Sequence, residues 1–155
     1  MKKLLLALAT TLLLPNMSYA AACADGANPD GCTISTTDIT YILTGDIEPT
    51  PWGEGIKFQS GATGNATTLT GNISTREYRS YGLYLENSDS NTTNLTGNIT
   101  TSGDEAHGLF FINSNSNITT LIGDIRAEEG WFGIGGDGLH LENSDSNTTT
   151  LTGNI

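Results

Sequence analysis

A pentapeptide with an apolar residue at each end recurs along the chain and sets its hydrophobic pattern. It reads Leu-Thr-Gly-Asn-Ile or a close variant, and its five copies are spaced by 26, 26, 26 and 30 residues. A second motif, a glycine followed by alternating apolar residues, lies between successive copies and starts at Gly55, Gly82, Gly108 and Gly138. Self-similarity at a fixed period of this size predicts a solenoid.

Alternation within each motif predicts β-strands. Alternate side chains of an extended chain share a face, so Leu95, Gly97 and Ile99 would point to one side of a strand. Helix is disfavoured because Thr, Asn, Ser and Gly dominate and no 3.6-residue apolar stripe is sustained. We therefore predict an all-β fold, a parallel β-solenoid of the right-handed β-helix type, over residues 36–155, with about 26 residues per coil and four to five coils. Each coil would have two strands and a less regular third segment.

Stacked coils would place equivalent residues above one another, about 4.8 Å apart. Four interior columns are predicted, namely Leu43, Leu69, Leu95, Leu121 and Leu151; Ile47, Ile73, Ile99, Ile125 and Ile155; Ile56, Leu83, Leu109 and Leu139; and Phe58, Leu85, Phe111 and Leu141. The amides of Asn87, Asn113 and Asn143 are expected to form a hydrogen-bonded ladder. The glycine column that contains Gly97 would either keep the narrow interior free or allow the chain to bend.

The first twenty residues have the pattern of a secretory signal peptide. Two lysines precede an apolar run at residues 4–14, and Ser-Tyr-Ala at 18–20 fits a small-residue cleavage site. We assign residues 1–20 to this signal and residues 21–35 to an N-terminal cap in which Cys23 and Cys32 close a disulfide loop. Lipidation of Cys23 is the alternative, since the three alanines before it loosely resemble a lipoprotein processing site.

The charge balance excludes two classes of partner. Without the predicted signal, four basic and 17 acidic residues remain, a net charge of −13. Nucleic-acid binding is excluded because neutralising phosphates needs clustered Lys and Arg. Attachment to anionic lipid through a basic patch fails for the same reason. The acids alternate along the predicted columns, as in Asp89, Asn115 and Asp145, so that like charges do not meet on adjacent coils.

No pattern in the chain predicts catalysis, a metal site or a cofactor. A polysaccharide-acting solenoid needs carboxylates gathered at one spot, whereas here Asn or Ile separates them. His107 and His140 fall at different repeat positions, and we expect His107 in a solvated turn and His140 outward on a strand. The glycine-rich segment 135–141 resembles a single imperfect calcium-roll repeat and is interpreted as a loop insertion. We expect a protein that is not an enzyme.

Outward aromatic residues are the candidate ligand contacts. Tyr84 and Phe110 share one outward position on adjacent coils, and Tyr81 lies in the connection before Tyr84. Trp131 lies in the connection that is lengthened by four residues. Exposed aromatic rings on a rigid polar scaffold suit contacts with a host or matrix glycan or a protein ligand. The alternative is that these rings cover turns or face a neighbouring segment.

The signal, the Cys-bracketed loop and the coils carrying L-T-G-[ND]-I and G-L-x-L-E-N-S resemble the passenger domains of autotransporters, the type V secreted proteins of Gram-negative bacteria. The resemblance implies export, passage through an outer-membrane β-barrel, and display on the bacterial surface or secretion, often as an adhesin. The barrel is expected in the full-length protein and is absent from these residues. Because Ile155 ends the last pentapeptide without a cap, we expect a chain truncated at its C-terminus.

Together these features favour a non-catalytic segment of an exported surface protein with a structural or adhesive role. Two alternatives stay open. One is a free-standing ice-binding or matrix β-solenoid, favoured by an outward threonine array that Ile42, Asn94 and Ile122 interrupt. The other is part of a solenoid polysaccharide-acting enzyme whose site lies beyond residue 155.

Overall fold

A computed structural model describes residues 31–155 of the chain. The predicted signal peptide and Cys23 lie outside these residues, so the Cys23–Cys32 disulfide stays a prediction. Within residues 31–155 the chain forms thirteen strands, arranged in three parallel sheets, and no helix. The prediction of an all-β parallel solenoid of about five coils is confirmed. None of the described residues forms a helix long and apolar enough to cross a membrane.

Each full coil contributes one strand to each sheet. The first sheet contains β1 (Cys32–Ile34), β3 (Ile56–Phe58), β6 (Leu83–Glu86), β9 (Leu109–Ile112) and β12 (Leu139–Glu142). The second contains β2 (Thr40–Thr44), β4 (Ala66–Thr70), β7 (Thr92–Thr96), β10 (Ile118–Ile122) and β13 (Thr148–Thr152). The third contains β5 (Ile73–Thr75), β8 (Ile99–Ser102) and β11 (Ile125–Glu128). The less regular third segment of each predicted coil is therefore a strand in the middle coils.

Register between coils follows the repeat. Leu69 pairs with Leu95 and Leu95 with Leu121, while Ile73 pairs with Ile99. Cys32 pairs with Ile56, so β1 lies within the segment 21–35 that the sequence assigns to a cap. The four predicted interior columns are buried in the inner coils, and they form one continuous core. The last coil differs, because Leu141 and Ile155 are exposed there.

The pentapeptide forms a corner between two sheets. Leu95 is buried in β7 and Ile99 is buried in β8, and Gly97 between them has φ 140°. A Cβ atom on Gly97 would lie 2.0 Å from the carbonyl oxygen of Gly71 on the neighbouring coil. The expectation of one extended strand with this glycine on the inner face is therefore wrong. Glycine is required because the chain bends here and the backbones of adjacent coils meet.

Threonine supplies part of the interior. Three threonines are buried beside the leucine column, each two residues before the leucine of its strand in the second sheet: Thr67, Thr93 and Thr119. The hydroxyl oxygens of Thr67 and Thr119 have no hydrogen-bond partner. Their methyl groups therefore serve as packing surface, and the thin apolar composition of the chain still fills a narrow core.

The buried amide ladder lies at a different repeat position from the one predicted. Asn87, Asn113 and Asn143 are exposed, and their φ values of 46°, 48° and 47° place them in the left-handed region that ends the strand. The ladder is instead formed by the column Asn65, Asn91, Asn117 and Asn147. The left-handed residue turns the chain, and the asparagine four positions later points inward under that turn.

The Asn91 side chain satisfies two backbone groups of the preceding coil. The side-chain oxygen of Asn91 accepts the backbone N–H of Asn65 at 3.0 Å, and its amide nitrogen donates to the carbonyl of Ala62 at 2.9 Å. The backbone N–H of Asn91 in turn donates to the side-chain oxygen of Asn117 at 2.8 Å. Because donor and acceptor are both used, neither Asp nor a hydrophobic residue could replace asparagine at this position.

Replacing Asn91 by alanine would leave the Asn65 N–H and the Ala62 carbonyl buried without partners. Each such group costs about 1–3 kcal/mol, so we expect N91A to lower the free energy of unfolding by about 2–4 kcal/mol in urea denaturation. The matched control is N94A, because Asn94 points outward from β7, the strand that begins one residue after Asn91, and is exposed. Equal stability of N91A and N94A would contradict the ladder.

Candidate functional site

Two columns of side chains lie next to each other on the outside of the first sheet. The first is the outward position of the strands, where Lys57, Tyr84, Phe110 and His140 pair in register. The second precedes the motif glycine and contains Glu54, Tyr81, His107 and Asp137. Glycine N–H groups fix this second column, because Gly82 donates to the carbonyl of His107 at 3.1 Å and Gly108 to that of Asp137 at 2.9 Å.

Five rings from these columns form what we call the aromatic cluster, consisting of Tyr81, Tyr84, His107, Phe110 and His140. The ring centroid of Phe110 lies 4.7 Å from that of Tyr81, 5.4 Å from that of Tyr84 and 5.1 Å from that of His140. His107 stacks on Tyr81 at 5.6 Å. Coil stacking thus assembles, from three coils, a continuous aromatic surface with both edge and stacked contacts.

The structure brings together three of the four aromatic residues predicted to contact a ligand. Tyr81 and Phe110 are only 8% exposed, because the rings around them cover them. Tyr84 is half-buried, and the Lys57 ammonium lies 4.9 Å from its ring centroid. Burial raises the pKa of both tyrosines, so their hydroxyls stay protonated. The cluster is a packed surface whose accessible members are Tyr84 and the histidines.

The two histidines come together with one carboxylate at the edge of this cluster. His140 Nδ1 lies 2.8 Å from Asp137 Oδ2, and His107 Nδ1 lies 3.6 Å from the same oxygen. The imidazole rings stack with centroids 4.5 Å apart. The side chain of His107 is 14% exposed, so the expectation of a solvated turn residue is wrong. His140 points outward from β12, as expected.

The surroundings shift the pKa values of two members of this group, His107 and Asp137. Burial lowers the pKa of His107 from its usual value of 6.5, and the neighbouring His140 lowers it further. The hydrogen bond with His140 lowers the pKa of Asp137. The backbone N–H of Asp137 donates to His107 Nδ1 at 2.8 Å, which identifies this nitrogen as unprotonated. Together the three side chains offer donor atoms within 4.8 Å of one another that could hold a metal ion.

The fourth predicted aromatic, Trp131, lies apart from the cluster. It belongs to the connection 129–138 between β11 and β12, and within residues 31–155 no ring contact joins it to another aromatic side chain. Trp131 is 95% and Phe132 81% exposed. This pair is the most exposed large apolar surface that the described residues present.

A buried carboxylate holds that connection in place. Asp104, on the preceding coil, accepts the backbone N–H groups of Phe132 and Ile134, each at 3.0 Å. Asp104 itself is buried. Because two N–H donors converge on one carboxylate, the loop has a fixed backbone although its apolar side chains are exposed.

Sequence reasoning missed Asp104 and Asp137. The signal that could have found Asp137 is its position directly before Gly138, which matches the position of His107 before Gly108. Asp104 has no equivalent in the other copies, and the signal nearest to it is the 30-residue spacing of the coil that follows.

The chain matches no protein-family model, no curated protein sequence and no solved structure. Function is therefore inferred from the geometry described above.

Protonation of His107 would convert its Nδ1 from an acceptor into a donor and would break the hydrogen bond with the Asp137 backbone. The charged groups facing it are His140, Asp137, Glu105 and Arg79. Since its folded pKa lies below 6.5, the stability that it contributes is present above pH 6.5 and is lost as the pH falls through the folded value. We expect the melting temperature, measured by circular dichroism in chelator, to fall between about pH 7 and about pH 5.

The matched variant for this test is His107→Asn, whose side-chain oxygen is as many bonds from Cβ as Nδ1 of histidine and can accept the same N–H but does not titrate. Its melting temperature should change less over the same pH interval. Titration of Asp137 does not contribute to the change in melting temperature over this interval, because its pKa is lowered from 3.8. Identical pH dependence of the two proteins would contradict the role given to His107.

Proposed function

We propose that this chain is a non-catalytic segment of an exported, surface-displayed β-solenoid, autotransporter-like, with a structural or adhesive role. The observation that carries the proposal is the exposed pair Trp131 and Phe132 on a loop that a buried carboxylate fixes. Adjacent aromatic side chains held in a defined place on a polar scaffold are typical of a surface that binds a glycan or a protein.

The rest of the solenoid supports a scaffold role. Asparagine and aspartate side chains link successive coils in three ladders, one buried and two exposed. The exposed ladders are formed by Asp46, Asn72, Asn98, Asp124 and Asn154, and by Asp89, Asn115 and Asp145. Such links at every coil favour a stiff rod. The formal net charge of −11 disfavours non-specific association with polyanions.

A second candidate function, binding to ice or to another ordered uncharged surface, is favoured by the outer face of the second sheet. Its outward positions carry no charged residue and are threonine except at Ile42, Ala66, Asn94, Ile118 and Ile122. A flat array with a strand spacing of about 4.8 Å is regular enough to contact a repeating surface. Shaping of growing ice crystals by the purified chain would favour this candidate over adhesion.

The adhesive proposal is tested with the double variant W131A/F132A. We expect beads coated with the chain to bind at least one immobilised host glycan or extracellular-matrix protein, and the double variant to lose about ten-fold or more of that binding, as hot-spot aromatics do. Binding is measured as bead retention under flow across printed glycans and matrix proteins.

The control is W52A, because Trp52 is also an exposed tryptophan in a connection but lies on another coil. This variant should retain full binding. Failure of the unmodified chain to bind any surface, or equal binding by W131A/F132A and W52A, would contradict an adhesive role for the loop.

A further inference from the structure

We propose that His107, Asp137 and His140 form a binding site for a single divalent transition-metal ion of the zinc class. The site lies between the fourth and fifth coils, with His107 at the start of one coil and the other two residues at the start of the next. A bound ion would therefore join two coils at the point where the repeat is interrupted. This inference is independent of the proposed adhesive role.

The distances suit a small cation. Ligand atoms placed about 2.0–2.2 Å from a tetrahedral zinc ion are roughly 3.3 Å apart. Two distances between candidate ligand atoms lie on either side of that value. Asp137 Oδ2 is 2.8 Å from His140 Nδ1 and 3.6 Å from His107 Nδ1. One ligand atom from each of the three residues lies within 4.8 Å of the other two. Shifts of about an ångström would therefore bring the donors to ligand distance.

Each imidazole Nδ1 atom would exchange one hydrogen bond for a bond to the cation. His107 Nδ1 accepts a backbone N–H at 2.8 Å, so its lone pair is already free of a proton. An ion would replace that hydrogen bond. It would also replace the proton shared between His140 Nδ1 and the Asp137 carboxylate, which lie 2.8 Å apart. That proton moves through solvent to Nε2 of His140, and the imidazole remains neutral.

The surroundings hold the ligands in place and leave access for the ion. His107 stacks on Tyr81 with an interplanar angle of 10°, and His140 contacts Phe110 edge to face at 80°. Asp137 lies between Gly136 and Gly138, so its backbone can adjust. The carboxylate and His140 are partly exposed, which leaves room for water as a fourth ligand.

The donor set selects the class of ion. Two imidazoles and one carboxylate suit zinc, copper(II) and nickel(II), whereas calcium and magnesium prefer all-oxygen sites. The competing interpretation is a hydrogen-bonded His–Asp–His group that never binds metal. The two interpretations differ in one measurable property, which is stoichiometric binding at neutral pH.

The test is isothermal titration calorimetry of the purified chain with zinc chloride at neutral pH. The protein carries no polyhistidine tag, and its thiols are alkylated beforehand if free. We expect one ion per chain, together with a rise in melting temperature. D137N and H140Q should each weaken binding about ten-fold or more, and cobalt(II) bound to the unmodified chain should show the visible absorption of an imidazole-ligated site.

The control is D145N, which removes the same charge from an exposed aspartate on the same coil. It should bind zinc like the unmodified chain. Each variant should retain the β-sheet spectrum in circular dichroism, because His140 and Asp137 lie outside the core. Absence of stoichiometric zinc binding, equal binding by H140Q and D145N, or tighter binding of calcium than of zinc would overturn the proposal.

Discussion

Register between successive coils is the constraint on which the whole structure depends. Parallel strands about 4.8 Å apart place each side chain against its equivalent on the next coil. The residues of each column must therefore be able to pack against or hydrogen-bond with one another. Leucine and isoleucine meet this condition by packing, and asparagine meets it by hydrogen bonding. Glycine at the corner meets it by having no side chain where Gly97 approaches the Gly71 carbonyl. A chain with few large apolar residues is stable in this form because all of its repeated positions contribute.

The sequence predicted the fold and the apolar columns because inward leucine and isoleucine recur at a fixed spacing. It placed the buried amide ladder four residues too early, at Asn87 instead of Asn91. Both positions carry asparagine in successive copies, so periodicity alone cannot distinguish them. The backbone conformation distinguishes the two positions. Asn87 has φ 46° and turns the chain, whereas Asn91 points into the core. In the exposed ladder that contains Asp46 and Asn72, one repeat position carries either aspartate or asparagine. Either residue fits because its side-chain oxygen needs only to accept a hydrogen bond from the next coil.

The candidate sites were less predictable than the fold, because each depends on residues that do not recur in the other copies of the repeat. Four additional residues between β11 and β12 carry Trp131. Asp137 lies beside His107 because both precede a motif glycine on adjacent coils. Two histidines at different repeat positions become neighbours because a bend at the motif glycine brings their columns together. A regular scaffold thus presents an irregular connection that carries the exposed aromatic pair and Asp137, whereas His140 lies on β12 and His107 on the preceding coil. Asp104, buried under this connection, had no signal in the sequence beyond the altered spacing.

Stacking of the coils in register, with a period of 26 residues, can be tested directly by deletion. Deletion of residues 73–98 removes one whole period and joins Asn72 to Ile99, so every column stays aligned. Deletion of residues 74–98 removes one residue fewer and puts all later columns out of alignment. Thermal melting followed by circular dichroism compares the two. In-register stacking predicts a β-sheet spectrum and a cooperative melt for the first deletion, with loss of the cooperative melt for the second. Identical melting of the two proteins would exclude in-register stacking.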